Sequence, residues 1–221
     1  MSMSEVELID AVRANLGGRT DLEDMIKTGL RLGLEELGHM HNFEGMISTP
    51  SDISISASDS SVDLPSNTKH IKRAVFVNST SSYPIRLKTR RWVESRYPNP
   101  SADAEGKPVY GYKQGDYMYF VPYSDGSYSV RLTVYTFPKF AADGTTPIEA
   151  SRALIDYGTA YCMDGIERFK SSKEWYEKFR ASAASAIKSD RDEAGIEHGS
   201  DSREGIVAGN YWDDPFCMRV E

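Results

Sequence analysis

No apolar run in this sequence approaches the roughly 20 residues that a membrane-crossing helix needs, and no such helix is expected. Cysteine is nearly missing. Cys162 lies in a helical pattern and Cys217 near the C-terminus, so two free thiols in a reducing compartment are expected rather than a disulfide. The opening MSMSEVELIDAV is acidic and amphipathic, without the basic start or apolar core of a signal peptide, and a soluble chain made in a cytoplasm is expected. Histidine is also sparse. His39 and His41 are two apart, a spacing that shares a face on a strand but not on a helix, and neither they nor His70 and His198 join a carboxylate or cysteine pattern that completes a metal set. A structural or surface role is expected for the pair. The chain also lacks a Walker loop, GxSxG, HExxH and a Rossmann glycine fingerprint. Its many carboxylates show no pairing in an apolar setting of the glycosidase kind. Cys162 reads as a small apolar core residue. Catalytic residues, metals and cofactors are therefore expected to be none.

What the chain has is ordinary globular composition, 39% hydrophobic and 27% charged, in 221 residues, near the upper end of one domain. The net charge of −7 is unevenly spread. Residues 1–67 carry 4 basic and 12 acidic side chains, whereas residues 68–140 carry 12 and 5. A basic middle in an acidic chain fits nucleic acid, or complementary surfaces between copies of one protein. The second fits better, because a dedicated nucleic-acid binder is usually basic as a whole domain.

Periodicity divides the chain into helices, strands and helices. Ser4 and Glu7 have capping-box spacing, and Val6, Ile9, Val12 and Leu16 follow at helical intervals until Gly17-Gly18. Thr20 and Glu23 repeat the capping spacing before a helix whose apolar face runs Leu22, Met25/Ile26, Leu30, Leu34 and Leu37, with Gly38 as its expected C-cap. Gly29 and Gly33 each cost this helix about 1 kcal/mol relative to alanine. Close approach of another helix would explain them. From about residue 46 the period becomes two. Ile53/Ile55 and Val62/Leu64 lead to strands at 71–77, 108–112, 117–121 and 128–137, with turns expected at Gln114-Gly115-Asp116 and Ser124-Asp125-Gly126, each closing a hairpin. A short helix is expected from Thr89 to Tyr97, stopped by Pro98. Pro147 is expected to open a third helix, with Ala153/Leu154, Tyr157, Tyr161 and Ile166 inward, ending near Phe169. Ser171 and Glu174 are expected to cap a fourth, carrying Trp175, Phe179, Ala183 and Ile187.

The predicted fold class is α+β: a helical bundle of two N-terminal and two C-terminal helices, an inserted antiparallel β lobe, and an extended C-terminal tail. One domain over 1–195 is expected, with the helical lobe at 1–45 and 147–195, the β lobe at 46–146, and the tail at 196–221. Two clusters invite a binding role. Lys69, His70, Lys72, Arg73, Arg86, Lys88, Arg90, Arg91 and Arg96 could follow phosphate or form a solvated or subunit-facing surface, and weak aromatic interleaving favours the latter. Tyr211, Trp212 and Phe216 crowd a tail too polar to fold alone, as a docking anchor would or a segment folded back on its own body.

The segments LGGRTDLEDMIKTGL (16–30), RRWVESRYPNPS (90–101) and GKPVYGYKQGDYMYFVPYSDGSYSVRLTVYTFP (106–138) together resemble the phage head–tail adaptor proteins, which include the tail-tubular A proteins and connector rings of short-tailed phages. The resemblance covers about residues 4–190 and rests on structural positions; the tail matches no family pattern. It implies a virion structural protein at the head–tail junction, assembled in the host cytoplasm. Twelve copies would form a ring around the DNA exit channel, touching the portal, the next tail component (nozzle or tail tube) and the passing genome without sequence specificity, with no membrane partner. Two alternatives compete: a DNA-binding module using the basic middle, and a tail-associated cell-wall hydrolase.

Overall fold

The computed structural model describes residues 3–78, 81–98 and 105–198. The chain divides into two compact units. One holds everything up to Leu37 and from Ala142 onward, and the other is Gly38–Ala141. The fold is α+β, as the change of period from 3.6 to 2 and back predicts.

The first unit is built from helices. α1 (Glu5–Asn15) starts with a complete capping box: the Ser4 hydroxyl accepts from the Glu7 N–H, and the Ser4 N–H donates to the Glu7 carboxylate at 2.8 Å. Hydrogen bonding to Ser4 holds the Glu7 carboxyl below its ordinary value. The helix ends in a paired C-terminal turn, with Gly17 N–H on Ala14 O and Gly18 N–H on Arg13 O. Both glycines have left-handed φ, +75° and +79°, which a side chain would resist. α2 (Glu23–Met40) buries Ile26, Leu30, Leu34 and Leu37. It begins at Glu23, so Thr20 stands in the preceding turn and is not its cap; Glu23 instead pairs with Arg13 and Lys27.

α4 (Ser151–Gly165) and α5 (Phe169–His198) complete this unit. α4 starts four residues after Pro147, because Ile148 and Ala150 are first drawn into the core. Gly165 ends it, and the next turn places Glu167 in the left-handed region at φ +60°. Arg168 N–H reaches Met163 O and Glu167 N–H reaches Asp164 O, the same paired closure as in α1. α5 therefore opens at Phe169, two residues ahead of Ser171, which lies inside its first turn. Tyr157 packs edge-on against Phe179 and Tyr176 of α5, and Ser182 donates to the buried Asp156.

The second unit is a small β-sandwich. In one sheet β9 (Tyr128–Thr136) pairs with β4 (Thr68–Val77) on one side. On its other side β9 takes β1 (Ile47–Ser48) and β2 (Ile53–Ile55) end to end. β5 (Ser82–Pro84) extends the β4 edge. The second sheet runs β3 (Ser61–Asp63), β8 (Tyr117–Val121), β7 (Tyr110–Gln114) and β6 (Arg86–Leu87), antiparallel except for the parallel β6–β7 pair. Alternation sends Val130, Leu132 and Val134 inward with Phe76, and Met118 and Phe120 come inward from the other sheet. Phe76 and Phe120 meet edge to face at 5.4 Å.

The hairpin expected at Ser124-Asp125-Gly126 does not form. Both edges of β8 are taken by β3 and β7, and both edges of β9 by β4 and β1/β2, so the chain passes from one sheet to the other there. Gly38 is likewise no cap, since α2 continues to Met40. A Cβ at residue 38 would lie 2.5 Å from Pro138 Cδ. Nearby, the Lys69 ammonium donates to the carbonyls of Gly38 and His41, placing a cation where the last helical carbonyls lack partners.

Two substitutions should move stability in opposite directions. Gly38→Ala, despite gaining about 1 kcal/mol of helix propensity, meets a ring tied to its own backbone, and overpacking of that kind costs about 1–3 kcal/mol. Urea denaturation should show net destabilisation. Glu167→Gly relieves the left-handed cost of about 1–2 kcal/mol, partly offset by entropy in the unfolded chain, and should raise the denaturation midpoint.

Candidate assembly surface

The helical unit is held by missing side chains. A Cβ at Gly29 would sit 3.1 Å from the Tyr161 ring and 3.3 Å from the Gly158 backbone, and one at Gly33 would sit 3.0 Å from the Tyr157 ring. From the facing helix, a Cβ at Gly158 would meet Leu30 and Val12 at 3.2 Å. Gly29 and Gly33 thus lie against α4, at separations where even a methyl group displaces its neighbour.

The basic residues that are close in sequence do not form one patch. Lys69 is taken up by the carbonyls at the end of α2, and burial pushes its ammonium below the usual lysine range. Burial and the nearby Lys69 and Lys113 ammoniums push His70 down. Lys72 pairs with Glu44 at 3.0 Å and lies over the Tyr135 ring. Arg73 is exposed on β4. The others gather on the second sheet. Arg86 lies on β6, Lys88 follows it, and Arg90, Arg91 and Arg96 belong to α3 (Arg90–Arg96), capped by Thr89 through the Trp92 N–H.

α3 sets these cations beside tyrosine rings that read in the sequence only as strand formers. The pleat sends Gly111 into the core and Tyr110 and Tyr112 outward. Across the hairpin, Tyr112 faces Tyr119 in register, and their rings stack at 5.4 Å with 14° between planes. Tyr117 stands 6.2 Å from Tyr119 and is 46% exposed. Trp92 packs on Tyr110 at 4.9 Å, Tyr97 lies at 6.1 Å, and Lys88 sits over Trp92 at 5.3 Å. Arg90 pairs with Glu94, whose hydrogen bond raises the guanidinium, and it lies close enough to Tyr112 and Tyr119 to sense their charge. Burial first, then Glu94, raises the Tyr112 hydroxyl. A signal for this face does exist in the sequence. A two-residue turn at Gly115-Asp116 sets Gln114 opposite Tyr117, and Tyr112 opposite Tyr119 follows from it.

Little else offers chemistry among the described residues. No group of three or more metal-ligating side chains occurs there. His39 packs on Phe137 and His41 on Phe43, both at 4.9 Å. No described helix is long and apolar enough to cross a membrane. An open depression of about 530 Å³ is lined by serines and by Asp52, whose carboxylate is engaged by Arg131 through two 2.9 Å bonds. Cys162 is fully buried, and burial lifts its thiol to about 11. Cys217 and the docking candidates Tyr211, Trp212 and Phe216 lie outside the described residues, as does the expected tail beyond His198.

The family model described as SU10 adaptor protein matches residues 3–203 of this chain. No curated protein matches it.

With its thiol near 11, Cys162 is almost entirely protonated at pH 8. A Cys217→Ser variant should release no chromophore from a disulfide dye at pH 8 when native, and one equivalent per chain in denaturant.

Proposed function

The chain belongs to the SU10 adaptor protein family of phage head-to-tail adaptors, and from that premise we propose that it works as a ring-forming connector between the portal and the tail. The match across residues 3–203 carries this reading. The ring encloses the DNA exit channel, twelve copies close it, and the neighbours are the portal above and the next tail component below. The chain is a structural part of the virion with no catalytic step of its own.

Charge supports a ring of contacts between unlike surfaces. The Gly38–Ala141 unit has 12 basic and 9 acidic side chains, a balance of +3, and the rest of the chain has 14 and 24, a balance of −10. A heterologous ring brings two different patches together around an axis, and oppositely charged patches steer that encounter. Gly29 and Gly33 serve the packing inside each subunit in this reading. Tyr211, Trp212 and Phe216 are proposed to anchor the chain to a neighbouring component. The exposed Arg73, Arg86 and Arg91 give a specific reason to keep a second reading, non-specific contact with the passing genome.

The decisive measurement is the mass of the assembly formed by purified protein with and without the cognate portal. A multiple near twelve on the portal is expected, and a complex of one or two copies would overturn the ring. Nuclease, muramidase and protease assays on the same material should be blank.

A further inference from the structure

The outer face of the β3–β8–β7–β6 sheet combines two properties that seldom serve the same simple purpose. Its core side is closed by Met118, Phe120 and Val62. Its other side presents Tyr110, Tyr112, Tyr117, Tyr119 and Trp92, none of them fully buried, edged by the cations of β6 and α3. Residues 86–97 contain five cations and one carboxylate, Glu94, which Arg90 already engages. Among the described residues, no salt bridge is formed by Arg86, Arg91 or Arg96.

We propose that this face is the docking site for segment 210–217, NYWDDPFC, contributed by a neighbouring copy of the chain. That the donor is a neighbour rests on the ring reading above; the pairing of face and segment does not. The segment concentrates three aromatic rings and two carboxylates in eight residues, with no basic side chain. It is complementary to the face in both respects. Trp212 and Phe216 find flat tyrosine surface, while Asp213 and Asp214 find arginine and lysine. Tyrosine, tryptophan and arginine are the residues in which interfaces concentrate their energy. Thirteen residues separate His198 from Trp212, and the fourteen Cα-to-Cα steps give an extended reach of up to roughly 46 Å.

A DNA duplex suits the face less well. Its phosphates would use the cations but leave the tyrosines idle, since duplex bases are already stacked on one another. A single strand would use both, and so it enters the test as a competitor.

A labelled peptide of residues 208–221 should be titrated into the full chain carrying Trp212→Ala and Phe216→Ala, which keeps the chain's own segment from competing. Saturable binding is expected, weaker in high salt. The further pair Tyr112→Ser and Tyr119→Ser should weaken it by at least about tenfold. Asp213→Asn with Asp214→Asn, or Trp212→Ala with Phe216→Ala, made in the peptide, should weaken it comparably, and these changes leave the protein's fold untouched should the tyrosine variant fail to fold. Equal affinity of the variant peptides overturns the proposal, as does unchanged binding by a tyrosine variant that melts like its parent. An oligonucleotide, single- or double-stranded, that binds where the peptide does not makes the face a nucleic-acid contact and overturns it too. Sedimentation of the unsubstituted chain should show association that Trp212→Ala with Phe216→Ala weakens. A chain that stays monomeric while amides 210–217 are protected from exchange docks its own segment, which overturns the neighbour's role. The mass on the portal is read separately, so a failed ring and a failed docking face are told apart.

Discussion

Helices α2 and α4 meet at positions where side chains are missing. Gly29 and Gly33 on one, and Gly158 on the other, leave room for Tyr157, Tyr161 and Leu30, and an added methyl group would lie only about 3 Å from those side chains. Tyr157 then lies against α5 as well, so one aromatic ring shares its surfaces between two helix contacts. Among its described residues the helical unit has no sheet to organise it. This seam, together with the packing of α4 on α1 and α5, sets its geometry, and the propensity lost at the two α2 glycines is offset by the packing they permit.

Several local signals were legible where a residue's partner was a few positions away, although the capping spacings at Thr20 and Ser171 did not mark helix starts. The capping box of Ser4 and Glu7, the stop at Gly17-Gly18, the short helix between Thr89 and Tyr97 and the limits of β8 all follow from the sequence and stand in the structure. Expectations failed where a distant neighbour decided. Pro147 could not start α4, because Ile148 and Ala150 have a core to enter. Gly38 looked like a terminus, because glycine signals both a helix end and a close contact, and only Pro138 distinguishes them. The link from β8 to β9 has good turn residues yet changes sheet, since strand order is a property of the whole unit. Family membership was legible from the order of elements together with the segment after α1, and the family match agrees.

The surface chemistry was harder to foresee. Nearness in sequence grouped Lys69, Lys72 and Arg73 with Arg86 to Arg96, whereas folding spends Lys69 on helix carbonyls and Lys72 on Glu44. The tyrosines of β7 and β8 read as ordinary strand formers. Only the pleat and the position of α3 turn them into one face with the remaining cations. A phage structural adaptor works through shaped and charged surfaces, and such surfaces are assembled from residues that single motifs do not mark.

The two ends of the β unit meet, Gly38 lying against Pro138 with no room for a methyl group between them. A module whose first and last residues are neighbours demands almost nothing of the chain that carries it beyond one point of attachment. Such a cassette can lengthen its loops, exchange its strands or be replaced by another of unrelated sequence while the helices keep their own packing. Over evolutionary time the surface carried by the strands is then free to follow a changing partner, and the helical seam is free to stay as it is.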